Sequence, residues 1–506
     1  MDRGGHRVKK GRVFFVILNI VILASWMVAM TLLVKREGML KPRGVRGNFR
    51  ELIPRDIEMD AWKSIYISNQ WAGYVHMIMG PYTEGDRKGY LINGTSFLRF
   101  SMFDQLKEIE ITSVQVLDAD FRVLKFEARL SGMTHIMLTG KRLGDNMLLE
   151  IRYGKARYKK VFPASDDLFL ENSILSIYRG KGLKVGDTYT LSLFNPVTFT
   201  VDSTDVRVVG RKNDLLLLET KFSGLSSNSW IDKDGHVVRE ETPNGWVMKL
   251  ETREEVERHM SEHAHQGVDI LSEAAVITMR RIPSPRQVGF MRIKVSGIDL
   301  VDFPFDGERQ DLVDRKEGIV EIRAIAPSGQ ESISLPYRDS GLREYLRPSL
   351  WIQSSDPAIV KRAERIIKGE RDGWRAAKMI GTWVHKNINK SFSVGIPVAT
   401  SVLANREGDC NEHTVLFVAL ARACGIPAEM CAGFVYMEDG FYYHAWPKIF
   451  VGKWVHCDPT FGQPVADATH FELVSGDFSA QAKLAVTLGR IDIEILDAQA
   501  WREPLD

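Results

Sequence analysis

Cys410, His444 and Asp458 follow one another in the C-terminal part of the chain, and together they can supply a nucleophile, a base and a carboxylate that orients the base. Cys410 opens the run Asp409-Cys410-Asn411-Glu412-His413, which continues through an apolar stretch to Gly425 and Pro427. Asp409 suits an N-cap and Glu412, three residues on, completes a capping box, which places Cys410 at the first helical position. Gly425 and Pro427 end the helix. Arg422 is the only charged residue between His413 and Gly425, so this helix is apolar on nearly every face and is expected to run through a core. Free N–H groups and the positive end of the helix dipole favour a thiolate at Cys410, whereas the charge of Asp409 opposes it. His444 must therefore do part of the activation.

Three strand candidates follow the helix. They run from Ala428 to Met437, from Phe441 to Ile449 and from Lys453 to Asp458, with turns at Glu438-Asp439-Gly440 and near Gly452. Tyr442, His444 and Trp446 share one face of the second strand, and Trp454, His456 and Asp458 share one face of the third. A loop Phe450-Val451-Gly452 with Gly452 left-handed pairs Ile449 with Lys453 and sets His444 directly opposite Asp458, with Cβ atoms about 5 Å apart. The backbone N–H of Cys410 is a candidate donor to an oxyanion. His413, His456 and His470 read as supporting groups, with His413, one helical turn from the thiol, the one closest to the chemistry.

The segments Gly408-Asp409-Cys410, Arg422-Ala423-Cys424-Gly425-Ile426-Pro427-Ala428, Tyr443-His444-Ala445-Trp446 and Trp454-Val455-His456-Cys457-Asp458-Pro459-Thr460 together resemble the transglutaminase-like superfamily. The resemblance covers roughly residues 356–477. It implies a papain-like α+β domain with Cys410, His444 and Asp458 as a catalytic triad on helix, strand and strand. It further implies attack by Cys410 on an amide carbonyl of a protein or peptide, giving a thioester that water or an amine resolves. No cofactor and no metal ion is expected. The competing reading is a catalytically silent envelope module that binds peptide in the same pocket.

The rest of the chain sets the context. With 67 basic against 65 acidic residues among 506, no global charge points to nucleic acid. The four cysteines all lie between Cys410 and Cys457, too few for a disulfide framework. Val13 to Val34 is an uncharged run long enough, at about 1.5 Å per residue, to cross an apolar layer of about 30 Å, and reads as a transmembrane helix. Basic residues flank it on both sides, but exporting a short positive tail costs roughly 2 kcal/mol per charge at about 100 mV. The expected location is therefore single-pass membrane, with the bulk of the chain extracytoplasmic, periplasmic in a Gram-negative cell.

The expected fold is multidomain: a cytoplasmic tail (1–12), the transmembrane helix (13–34), a stalk (35–60), a mainly-β domain (61–258), a linker helix with a small β region (259–349), the transglutaminase-like α+β domain (350–480), and a C-terminal strand and tail (481–506). The mainly-β region weakly resembles the curved sheets of periplasmic lipoprotein-carrier domains, through its strand rhythm and the hairpin around Asp234-Gly235. Asp232 and Asp234 there read as turn residues rather than calcium ligands. His259-Met260-Ser261-Glu262-His263 has the H-x-x-E-H order of inverted zinc peptidases, but its charged flanks supply no apolar shell, so a solvated linker helix is expected. Asp356-Pro357 starts the first of two amphipathic helices that lead to the cysteine.

Overall fold

The computed structural model describes residues 58–501, apart from 103–104, 133–134, 154–155, 165–167, 171–182, 196–199, 223–224, 243–244, 270–274, 301–302, 306–307, 328–331, 392–396, 477–480 and parts of 482–488. Its first half is one large, almost wholly antiparallel sheet. Successive hairpins from Met59–Ile67 out to Ala156–Pro163 form one wing, and hairpins from Thr188–Asn195 to Val247–Glu251 form the other, with Leu168–Leu170 added parallel at its edge. The wings join where Met59–Ile67 pairs with Val247–Glu251, Trp62 lying opposite Glu251. Turn residues act as their chemistry dictates: Asn213 and Asp214 both take positive φ, 49° and 64°, between the paired strands Thr200–Lys212 and Leu215–Phe222. The Asp234-Gly235 hairpin forms as expected, and the Asp232 carboxylate is spent on it, accepting from the backbone N–H groups of Asp234 and His236.

The helix Arg253–Glu262 is capped by a Thr252/Glu255 capping box. It is not the solvated linker expected from its flanks. Val256 is buried, and His259 and His263 lie against Trp71 of the neighbouring strand Gln70–Glu84.

The C-terminal half is α+β. Helices Pro357–Ile367 and Gly373–Asn387, each N-capped by an aspartate, and the short helix Ala399–Asn405 pack around the helix Cys410–Ala423. The cysteine helix is capped by the Asp409/Glu412 box and buried along its length from Glu412 to Ala421. On its other side lies a five-stranded sheet in which Val276–Ile277, Gly440–Phe450, Ala428–Met437 and His470–Ser475 are successive neighbours and Trp454–His456 pairs with Gly440–Phe450. A four-stranded sheet adds Gln310–Asp314, Ile319–Arg323, Val288–Ser296 and the C-terminal strand Asp492–Ala500. A continuous core runs from the large sheet (Ile92, Met147, Leu149, Val206, Leu218) into the helices (Ile359, Ile380, Leu416, Leu420), so the two halves share buried surface.

Two expectations are corrected. The hairpin turns one residue later than anticipated: Phe450 stays in the ladder opposite Trp454, and the loop is Val451-Gly452-Lys453, with Gly452 at φ 100°. The cause is an aromatic cross-strand pair, the Phe450 and Trp454 rings lying 5.8 Å apart. His444 and Asp458 are therefore not ladder partners. The pairing ends at His456, and Asp458 forms an isolated bridge with Gln463.

The second correction concerns the membrane. Among the described residues no helix is long and apolar enough to cross one. The longest, Gly373–Asn387, has 15 residues, about 22 Å against an apolar layer of about 30 Å, and it carries Arg375, Lys378 and Lys386. The stretch Val13 to Val34 lies outside the described residues. The fold class is accordingly a mainly-β chain with an α+β C-terminal half, and neither the transmembrane helix nor a single-pass membrane or periplasmic location has support.

Candidate active site

Local forces put Cys410 at the tip of its helix, and contacts with the next strand fix what it faces. Thr414, one turn along, donates from its hydroxyl to the carbonyl of Ala445 at 3.0 Å, and the Asn411 side-chain amide lies 3.2 Å from the Tyr443 hydroxyl. Helix and strand are thereby stapled on both sides of His444. The backbone N–H of Ala445 bonds the Cys410 sulfur, so the thiol lies against the residue that follows the histidine.

His444 and Asp458 come together although the register differs from expectation. His444 Nε2 is 2.8 Å from Asp458 Oδ2, and both side chains are buried. The bend after His456 is what delivers the carboxylate. Asp458 Oδ1 accepts from the backbone N–H groups of Thr460 and Phe461, 2.7 and 3.1 Å away, in a tight turn. With Nε2 given to Asp458, Nδ1 is the nitrogen left to exchange a proton with a thiol.

A second buried histidine shares the carboxylate. His470 Nε2 lies 3.0 Å from the same Asp458 Oδ2, and its Nδ1 is 3.4 Å from Asp467 Oδ1. Asp467 is itself held by Gln463, by Thr469 and by Arg286 Nη1 at 3.1 Å. The Arg286 guanidinium covers the Phe461 ring at 4.4 Å, and that ring stacks on His444 at 4.9 Å. The His444 imidazole is thus clamped in its plane as well as at its edge.

The charges follow from this packing. Burial pushes the Asp458 carboxyl up, but His444 and His470 more than reverse it and hold it well below the usual carboxylate range. Asp467 behaves likewise: burial raises it, and His470 with Arg286 brings it below the usual range. For His470 burial favours the neutral ring, yet Asp467 and Asp458 outweigh it and favour the imidazolium. His444 goes the other way, because burial outweighs the help of Asp458 and keeps it neutral. Burial and then Asp409 push the Cys410 thiol well up. Glu412 is also raised, by burial first and Asp409 second, so Asp409 carries most of the opposing charge beside the thiol. The helix tip alone does not create a resting thiolate, contrary to the simplest reading of its dipole. At neutral pH iodoacetamide should label Cys410 more slowly than an unhindered thiol, with the rate rising only above about pH 8.5. Mass-mapped labelling over a pH series checks this, and fast labelling below neutrality would refute it.

The other histidines serve structure. His413 is fully buried and donates from Nδ1 to the carbonyl of Asp409 at 2.7 Å, which turns it back along its own helix. His456 accepts from the Trp446 indole at 2.9 Å, and burial keeps it neutral. Sequence reasoning ranked His413 above His470 and passed over Asp467 and Arg286. Asp467-Ala468-Thr469-His470 does carry a local turn signal, but nothing in it points to Asp458.

Residues 360–459 match the transglutaminase-like superfamily. The chain carries a transglutaminase-like domain. The matched span of that domain includes Cys410, His444 and Asp458, whereas Asp467 and His470 lie just past its end. No curated protein matches the chain. Among solved structures, a candidate cysteine protease from Cytophaga hutchinsonii is 16% identical over 43% of this chain and 88% of its own, with a TM-score of 0.28. A β-barrel-like protein of a domain of unknown function from Brucella abortus is 13% identical over 39% of this chain and 98% of its own, at 0.30. A candidate protease from Parabacteroides distasonis is 9% identical over 80% of this chain and 69% of its own, at 0.19.

Proposed function

We infer that the transglutaminase-like domain is an acyl-transfer site in which Cys410 attacks an amide carbonyl of a protein or peptide. The observation that carries this reading is the buried 2.8 Å bond between His444 and Asp458, beside the strand residue whose N–H holds the Cys410 sulfur. The resting protonation states suit general-base attack rather than a preformed ion pair. As sulfur bonds to the carbonyl carbon, the thiol proton passes to His444 Nδ1. The imidazolium then protonates the departing amine, the C–N bond breaks, and a thioester remains on Cys410. Water or a second amine attacks that thioester with His444 again as base, and the thiol is regenerated.

The developing oxyanion needs two donors. The backbone N–H of Cys410 is one. Gln481 is the candidate for the other: its side-chain oxygen accepts from the Tyr443 hydroxyl at 3.1 Å, and its Nε2 is buried without a hydrogen-bond partner among the described residues. Gln481→Ala is expected to lower turnover by about 10²–10³ with little change in stability, and unchanged turnover would remove it from this role.

The test of the function is to offer glutamine-containing peptides with and without a labelled amine and to search for acylated Cys410 by mass spectrometry. A hydroxylamine-sensitive adduct on Cys410 supports the reading, and amine incorporation against plain hydrolysis tells the acceptor. Peptide binding with no adduct and no product would leave the silent binding module instead.

A further inference from the structure

The cluster His259, Glu262 and His263 plays no part in that chemistry, and its geometry has a different use. Each of the three offers one donor atom within 4.8 Å of the other two, and His259 Nδ1 is 3.7 Å from Glu262 Oε2. Both imidazoles already have one nitrogen committed as a donor. His259 Nε2 faces the Tyr66 oxygen at 3.4 Å and Glu251 Oε2 at 3.6 Å. Tyr66 gives its own proton to Glu251 Oε1 at 2.7 Å, so its oxygen can only accept from Nε2–H. The lone pair of His259 is then on Nδ1, which is buried and has no hydrogen-bond partner among the described residues. His263 donates from Nδ1 to the carbonyl of His259 at 3.0 Å, which leaves its lone pair on Nε2.

The surroundings supply what the sequence lacked. Trp71 lies against both rings, 6.3 and 5.6 Å between centroids, and is itself fixed by an indole bond to Ser64 at 3.1 Å. Ser64 in turn donates to Glu251 at 2.5 Å, so the carboxylate beside His259 is anchored on both oxygens. The cluster occupies the last turn of the helix Arg253–Glu262, where the helix dipole favours a cation. Arg99 satisfies the carbonyls of Met260 and His263 at that end, 3.4 and 3.0 Å away, and leaves the three side chains alone.

We propose that His259, Glu262 and His263 bind one divalent first-row transition-metal ion, with Glu251 as the outer carboxylate that orients His259. Two imidazoles and one carboxylate select zinc-like ions over magnesium or calcium. Metal–ligand bonds of about 2.0–2.2 Å require donor atoms about 3.3 Å apart, a closure that the half-exposed Glu262 can make by rotating. An ion there satisfies the buried lone pair of His259 and ties the helix to itself at its free end. The site does not depend on the acyl-transfer reading.

The test is a Co²⁺ titration of the chelator-treated, purified chain, followed by displacement with Zn²⁺. The expected result is one equivalent at micromolar affinity, with visible ligand-field bands and no thiolate charge-transfer band. His263→Ala and Glu262→Gln should each weaken binding by at least about tenfold, and Glu251→Gln by about tenfold with the bands retained. His236→Ala, at the Asp232 turn, should change nothing. Circular dichroism of each variant separates ligand loss from misfolding, and Glu262→Gln, at a surface position, keeps the test readable if a histidine variant unfolds. Equal binding in Glu262→Gln and His263→Ala, a thiolate band, or no binding at micromolar Co²⁺ would overturn the proposal.

Discussion

Asp458→Asn should lower turnover by about 10⁴ and at the same time destabilise the fold by about 3–5 kcal/mol. The kinetic loss follows from the single oxygen, Oδ2, that receives His444. A carboxamide can present its N–H there, which forces the proton of His444 onto Nδ1, the nitrogen that must accept one from the thiol. The stability loss follows from the same oxygen's second partner, since His470 would lose one of the two carboxylates that favour its buried charge. The pH dependence has a definite sign. Asp458 is held below its ordinary range, so its stabilisation is present above about pH 4 and is lost as pH falls further. His470 is raised, so its share is full below about pH 6.5 and is lost as pH rises through its folded value. Urea unfolding from pH 3 to pH 9 should therefore show Asp458→Asn flatter than the parent on both sides. An equally steep acid limb in the variant would show that other carboxylates control it.

Cys410→Ala should do the opposite, removing about 10⁶ in turnover while moving stability by less than about 1 kcal/mol. The side chain is small and partly buried, and its one polar contact among the described residues is with a backbone N–H. The parent's kcat/KM should keep its acid limb below about pH 6.5, because burial holds His444 neutral further into acid than an ordinary imidazole. Residual turnover in Cys410→Ala within tenfold of the parent would exclude the thioester route. An acid limb well above pH 6.5 would instead mean that Asp458 outweighs burial and His444 takes up its proton more readily than an ordinary imidazole.

What the sequence made legible was local. The capping box at Asp409 and Glu412, the helix that ends before Gly425 and Pro427, and the caps at Asp356 are decided by residues within one turn of each other. The strands Ala428–Met437 and Gly440–Phe450 were equally readable. The hairpin register was missed because a single aromatic pair, Phe450 with Trp454, outweighed a turn chosen on glycine alone. His470 was undervalued because its meaning lies in Asp458 and Asp467, and Arg286 because its partner Thr469 is 183 residues away. The H-x-x-E-H helix was dismissed on its charged flanks, and the apolar wall at Trp71 comes from a distant strand that no window on the helix includes.

The chain returns to itself around the candidate site, and this decides what can be cut away. The strand Asp492–Ala500 lies against Val288–Ser296, and Val276–Ile277 covers the outer edge of Gly440–Phe450. A fragment of residues 350–480 would strip both, bare a hydrogen-bonding strand edge, and leave Asp467 without Arg286. Any piece worth expressing to study the chemistry therefore includes Val276 to Ala500, well beyond the matched span on either side, and dropping the large sheet as well would bare the core it shares with the helices.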